Sequence, residues 1–253
     1  MFAPLLVNVH HTSGLCYLRG VTFRLAIVGA PRSGTRYTAT VLAASGLPTG
    51  HEASTVSPAG VLALPAIAAM VADVSWLLVP HIPELVRQGI AVALVSRHPL
   101  RVLPSMVARG FLDSRPAARR NQRRAWANAY ALRHVPELGR VRQGDLLARA
   151  ATFWLAWNRR ALAASPAIAF RVEVLGINQV VALGALAGLE LERRPAARTL
   201  GRTPRNVNAG AGPPLDALTW AELGAAVGDR LAGDVLDLAA ALGHPLEVPP
   251  RRT

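Results

Sequence analysis

The sequence predicts an α/β fold with a mainly parallel sheet flanked by helices, and three observations carry that reading. Short apolar runs suited to buried strands alternate with longer segments of helical period. The first of these runs passes through a glycine-bounded loop straight into a helix. The 253 residues, 51% of them hydrophobic, supply one core of ordinary domain size.

Taken in order, residues 23–28 (Phe-Arg-Leu-Ala-Ile-Val) read as a buried strand and 37–45 as a helix stopped by Gly46. Residues 49–52 (Thr-Gly-His-Glu) fall in the next connection. A helix is expected over 61–72, strands over 75–79 and 91–95, and a helix over 100–109. The pattern is helical throughout 114–164, after which 168–173 reads as a strand and 176–188 as a helix. Residues 195–214, rich in Arg, Gly, Pro and Asn, read as a loop. Thr219 and Glu222 form a capping box that opens a last helix ending before Gly243. Alternation of this kind implies parallel strands covered on both faces. Residues 1–20 lack a clear period and read as an extension ahead of a single domain, 21–253, with a helical elaboration.

All 28 basic residues are arginine, and the net charge is +13. Such a balance fits an anionic cofactor or substrate, or a nucleic acid. Much of it is local: twelve arginines lie between Arg109 and Arg160 in helix-forming surroundings, where a solvated basic face is an equally good reading. The single cysteine, Cys16, excludes an intramolecular disulfide and a cysteine-rich metal site. Pro65 and Asp73 interrupt the apolar stretch 61–80, which reads as a buried helix and strand rather than a membrane span. With no secretory pattern at the start, a cytoplasmic protein without a transmembrane segment is expected.

The strongest chemical signal is the loop Gly29-Ala-Pro-Arg-Ser-Gly-Thr35. Its glycines have the spacing of a phosphate loop, and it lies directly between strand and helix, where backbone N–H groups and the positive helix end favour an anion. The fold expected around it is therefore three-layered and of the P-loop nucleotide-binding kind. A nucleotide-triphosphatase loop would continue with Gly-Lys-Ser/Thr; here Gly34 is followed by Thr35 and Arg36, and the cation is Arg32, inside the loop. The second signal runs from Leu94 to Ser105, with Arg97 at the end of a strand and Ser105 eight residues on, placed to converge on one phosphate.

These two segments resemble the motifs of the sulfotransferase family, which uses 3′-phosphoadenosine 5′-phosphosulfate (PAPS). Pro31-Arg-Ser-Gly-Thr-Arg-Tyr37 is similar to the family's 5′-phosphosulfate loop, and Arg97 with Ser105 to its 3′-phosphate motif, His98 standing where aspartate or asparagine is common. The resemblance implies that Arg32 contacts the 5′-phosphate and the sulfuryl group. It implies too that Ser33, Gly34 and Thr35 hold the 5′-phosphate, that Arg36 occupies a hydroxyl residue's position, and that Tyr37 lies near the adenine. Weaker parallels span about residues 21–245, including Trp157-Asn158 and Asn206 to Asn208. The family's Arg-Lys-Gly element is absent, with Arg202 and Arg205 as substitutes.

A sulfuryl transferase also needs a base for the acceptor proton. Glu52 ranks first, His51 second and His81 third. The implied reaction needs no metal and moves the sulfuryl group to a hydroxyl or amine on a small-molecule, glycan or glycolipid acceptor, with no nucleic-acid partner. Rival readings are a P-loop small-molecule kinase, which lacks a convincing acidic magnesium ligand here, and an arginine-rich nucleic-acid-binding protein.

Overall fold

A computed structural model describes residues 23–56, 62–63, 70–113, 121–203 and 217–248. Its centre is a five-stranded sheet in which every pairing is parallel. The strands are β1 (Leu25–Val28), β2 (Thr49–His51), β5 (Ala72–Val74), β6 (Ala91–Ser96) and β7 (Ile168–Arg171), in the spatial order β2-β5-β1-β6-β7. A separate antiparallel pair joins β3 (Thr55–Val56) to β4 (Leu62–Ala63).

The strands are apolar on both sides because both sides are covered. Ala26, Val28, Val92 and Leu94 pack into one core cluster, and Leu25, Ile27, Ala93 and Val95 into the other, as the two-residue alternation of strand side chains requires. The first cluster is completed by α2 (Ile82–Arg87), α3 (Pro99–Ala108), α4 (Gln122–His134), α5 (Leu146–Ala163), α8 (Trp220–Val227) and α9 (Asp229–Ala241). Helices α1 (Thr35–Ala44), α6 (Ile177–Leu186) and α7 (Arg193–Arg202) complete the second. The layers are thus helix, sheet, helix. Trp154 and Trp157 of α5 are buried in the core, and the Trp157 indole donates to the carbonyl of Trp76 at 3.0 Å.

Several elements depart from the sequence reading. Residues 75–79 are not a strand: β5 ends at Val74, and Trp76–His81 form a 3-10 turn that the Ser75 hydroxyl caps by accepting from the Leu77 amide. A fully apolar run carries no period that separates a strand from a buried helical turn. Residues 49–51 are the edge strand β2 rather than a connection. Most of the helix expected over 61–72 lies outside the described residues, and Leu62–Ala63 are strand. Residues 193–202, expected in part as loop, form α7. The capping box is present, with the Thr219 hydroxyl accepting from the Glu222 amide at 3.1 Å. The helix it opens breaks at Gly228, whose φ of 85° separates α8 from α9. Among the described residues no helix is long and apolar enough to cross a membrane.

Beyond α9 the chain returns to the sheet. The His98 ring reaches the Pro245 carbonyl at 3.0 Å, and His244 lies 3.1 Å from the Ser96 hydroxyl. Burial, with His98 and Arg171 adding like charge, lowers the His244 pKa to about 3. A histidine held neutral in the fold but titrating near 6.5 when unfolded gives stability that is whole above pH 6.5 and drains away as pH falls. By pH 5 the loss is about 2 kcal/mol. Urea denaturation at pH 7 and pH 5 is expected to show that loss in the wild type and a smaller one in His244→Gln; equal losses would show that His244 does not report the acid sensitivity.

Candidate functional site

In the strand order, β1 connects toward β5 and β2 while β6 connects toward β7, so the chain changes direction at the C-terminal ends of β1 and β6, the place where open parallel sheets characteristically leave a crevice. The two motifs meet there. Gly29 continues β1 so close to β6 that a Cβ would lie 2.3 Å from the Val95 carbonyl oxygen, which explains the need for glycine. Gly34, at φ 85°, caps α1, and a Cβ there would strike Val172 in the turn after β7.

Between these glycines the loop takes up backbone strain. Arg32 has φ 71°, a conformation that side chains other than glycine adopt only when their surroundings hold them there. The hold is visible: the Arg32 Nε donates to the Ser105 hydroxyl on α3 at 2.9 Å, and Arg97 donates to the Arg32 carbonyl at 3.3 Å. Ser105 therefore accepts from Arg32 and keeps its own proton to give. Burial, and then the like charge of Arg109, depress the Arg32 pKa. No side chain caps α1, so its first-turn amides are left without an internal acceptor. The Ser33 hydroxyl is buried beside them with no hydrogen-bond partner.

The candidate bases separate into two places. His51 ends β2, and its Nε2 lies 3.0 Å from the Thr35 hydroxyl at the start of α1 and 3.9 Å from a Glu52 carboxylate oxygen. Burial, followed by the charge of Arg36, keeps the His51 pKa below its ordinary value against the pull of Asp73. Glu52 also stands at positive φ, 54°. Its pKa is raised, first by burial and then by Asp73, with Arg36 opposing. His81 lies elsewhere. It sits against Tyr130 at 3.2 Å, whose hydroxyl donates to the Leu77 carbonyl, and its ring neighbours His134. Burial lowers its pKa as well.

A cavity of about 890 Å³ opens beside the loop and is lined by Arg32, Arg36 and Glu52, but not by His81, Tyr37, Arg97 or Ser105. Tyr37 is 3% exposed and packs into the core beneath α1. Arg202 ends α7, and Arg205 with Asn206 and Asn208 lies outside the described residues.

Three supporting residues escaped the sequence reading. Asp73, fully buried on β5, accepts from the amides of Ala53 and Ser54 at 3.1 and 2.8 Å and so fixes the turn that presents Glu52. Asn128 accepts from the Leu112 amide and donates to the Asp113 carbonyl, tying the segment after α3 to α4. Arg149, 3% exposed, donates to the carbonyls of Leu112, Leu138 and Val141. A carboxylate inside an apolar run was the one available signal for Asp73. The arginine-rich surroundings of Arg149 hid it. Among the described residues no cluster of histidine, cysteine, aspartate and glutamate could hold a metal ion. Comparison with family models, with curated proteins and with solved structures gave no match.

Proposed function

We propose that the protein is a sulfotransferase of P-loop type that takes its sulfuryl group from PAPS. The observation that carries this reading is the convergence of Arg32, Arg97 and Ser105 at the C-terminal ends of β1 and β6, with Arg32 bonded to Ser105 at 2.9 Å. A nucleotide with phosphates at both its 3′ and 5′ positions needs two anion sites side by side. The residues present suit such a ligand: the buried Ser33 hydroxyl has no partner of its own, and the amides at the start of α1 meet no capping side chain.

In this reading the α1 amides, Ser33 and Thr35 hold the 5′ side, and Arg97 with the remaining proton of Ser105 holds the 3′-phosphate. Arg32, fixed by Ser105, places its other N–H donors where negative charge grows on the transferred group. The nucleotide supplies the sulfuryl group and leaves as adenosine 3′,5′-bisphosphate when the bond from sulfur to the phosphate oxygen breaks. Glu52 takes the proton from the acceptor hydroxyl or amine as its oxygen or nitrogen bonds to sulfur. His51, its pKa lowered by burial and its Nε2 at 3.0 Å from the Thr35 hydroxyl, sets an uncharged ring 3.9 Å from that carboxylate.

Adenosine 3′,5′-bisphosphate at a hundredfold excess over its Kd is expected to raise the melting temperature by roughly 5–10 °C, the equivalent of about 2.7 kcal/mol. A thermal shift with ATP and magnesium and none with the bisphosphate would overturn the assignment in favour of phosphoryl transfer.

A further inference from the structure

The cavity beside the loop is more cationic than two nucleotide phosphates require. Beyond the loop its walls are the start of the 3-10 turn after β5, residues 109–111 after α3, and residues 122–128 of α4. Arg97 and Ser105, the pair assigned to the 3′-phosphate, lie outside it. Its described lining still carries five guanidinium groups, those of Arg32, Arg36, Arg109, Arg123 and Arg124, against the single carboxylate of Glu52. Like charges gathered around one concave space repel one another and raise the local potential for an anion.

The same walls are aromatic. Trp76 and Phe111 meet edge to face at 5.5 Å, and Trp126 stacks on Tyr130 at 5.3 Å, so the rings facing the cavity are backed by other rings. Arg124 is built into this wall: Gly110, at φ 65°, has no side chain, and a Cβ there would lie 3.1 Å from the Arg124 guanidinium. Arg124 is exposed as a residue, and its guanidinium end lies beside the backbone between Arg109 and Phe111, at the edge of the cavity.

We propose that this cavity is the acceptor site and that the acceptor is itself an anion. It has a flat, apolar or aromatic frame, with the reacting hydroxyl or amine toward Glu52 and Arg32 and a fixed carboxylate, sulfate or phosphate toward Arg123 and Arg124 on α4. The inference rests on the sulfotransferase reading only for which end reacts. The rings take the frame, and the planar forks of the arginines take the acid group in pairs of charge-assisted bonds. A neutral acceptor of the same shape would strip water from Arg123 and Arg124 and return no charge to them.

The test compares two fluorescent probes, a hydroxycoumarin carrying a carboxylate and the same hydroxycoumarin without it, titrated with and without adenosine 3′,5′-bisphosphate. The carboxylate is expected to bind about tenfold tighter or better. The advantage is expected to vanish in the double variant Arg123→Gln/Arg124→Gln, whose thermal shift with the bisphosphate stays that of the wild type. Equal affinity for the two probes, or a carboxylate preference that survives in the double variant, overturns the proposal. If the bisphosphate fails to bind while the preference and its dependence on the two arginines persist, the anion site stands and the sulfotransferase reading falls.

Discussion

Alanine in place of Arg97 is expected to weaken binding of adenosine 3′,5′-bisphosphate by about tenfold to a hundredfold, the worth of a lost charge-assisted hydrogen bond of roughly 1.5–3 kcal/mol. Two losses combine. The guanidinium at the end of β6 is the cation assigned to the 3′-phosphate, and its bond to the Arg32 carbonyl also steadies the strained centre of the loop. Arg97→Lys separates them, because an ammonium keeps the charge but cannot easily serve a phosphate and that carbonyl together. Calorimetric titration should therefore place the lysine variant between wild type and alanine. Glu52→Gln, on the far side of the loop, should bind the bisphosphate as the wild type does. If Arg97→Ala binds no worse than Glu52→Gln, the division between a nucleotide side and an acceptor side is wrong.

The parts of this arrangement that the sequence displayed are those governed by local chemistry. Gly29 and Gly34 stand out because close approach to Val95 and a positive φ each demand glycine, and the strand and helix around them are long enough to show their period. Arg97 and Ser105 were legible as a spacing, eight residues from a strand end to one face of a helix. Their bonds to Arg32 were not, since these depend on how β1 and β6 lie side by side. β2 was missed because three residues, Thr-Gly-His, are too few and too polar for alternation to appear; they form a strand only because β5 offers them a parallel partner. The 3-10 turn of Trp76–His81 is hidden in an apolar run for the opposite reason, as every side chain from Trp76 to Val79 is buried. The cavity was the least legible feature. Its walls come from segments up to 97 positions apart, from Pro31 to Asn128, and no spacing rule connects them. The arginines of the basic run also serve different ends: Arg123 and Arg124 line the cavity, Arg149 is buried as a strut, and Arg159 pairs with Asp234 at 2.8 Å on the surface.

Glutamine at Glu52 should remove a general base and so lower turnover with PAPS by about two to four orders of magnitude, with little change in nucleotide affinity. Burial and the nearby Asp73 raise the Glu52 pKa, so the acid limb of the wild-type rate profile should lie above the ordinary glutamate value of about 4.3. Activity falls as pH drops through that raised value, because the protonated carboxyl cannot accept. In Glu52→Gln the limb should disappear along with most of the rate, whereas His51→Asn should lower the rate and leave the limb in place. Stability should move the other way. A carboxyl whose pKa is higher folded than unfolded favours the fold only while it is protonated, so at neutral pH the ionised Glu52 works against folding. The side chain is 41% exposed, and solvent screening keeps that penalty small; Glu52→Gln should nonetheless melt slightly higher than the wild type at pH 7 and indistinguishably from it at low pH. Full turnover in the glutamine variant would transfer the role to His51. A rate lost together with a lowered melting temperature at every pH would instead mean that Glu52, at its strained φ of 54°, holds the turn rather than the proton.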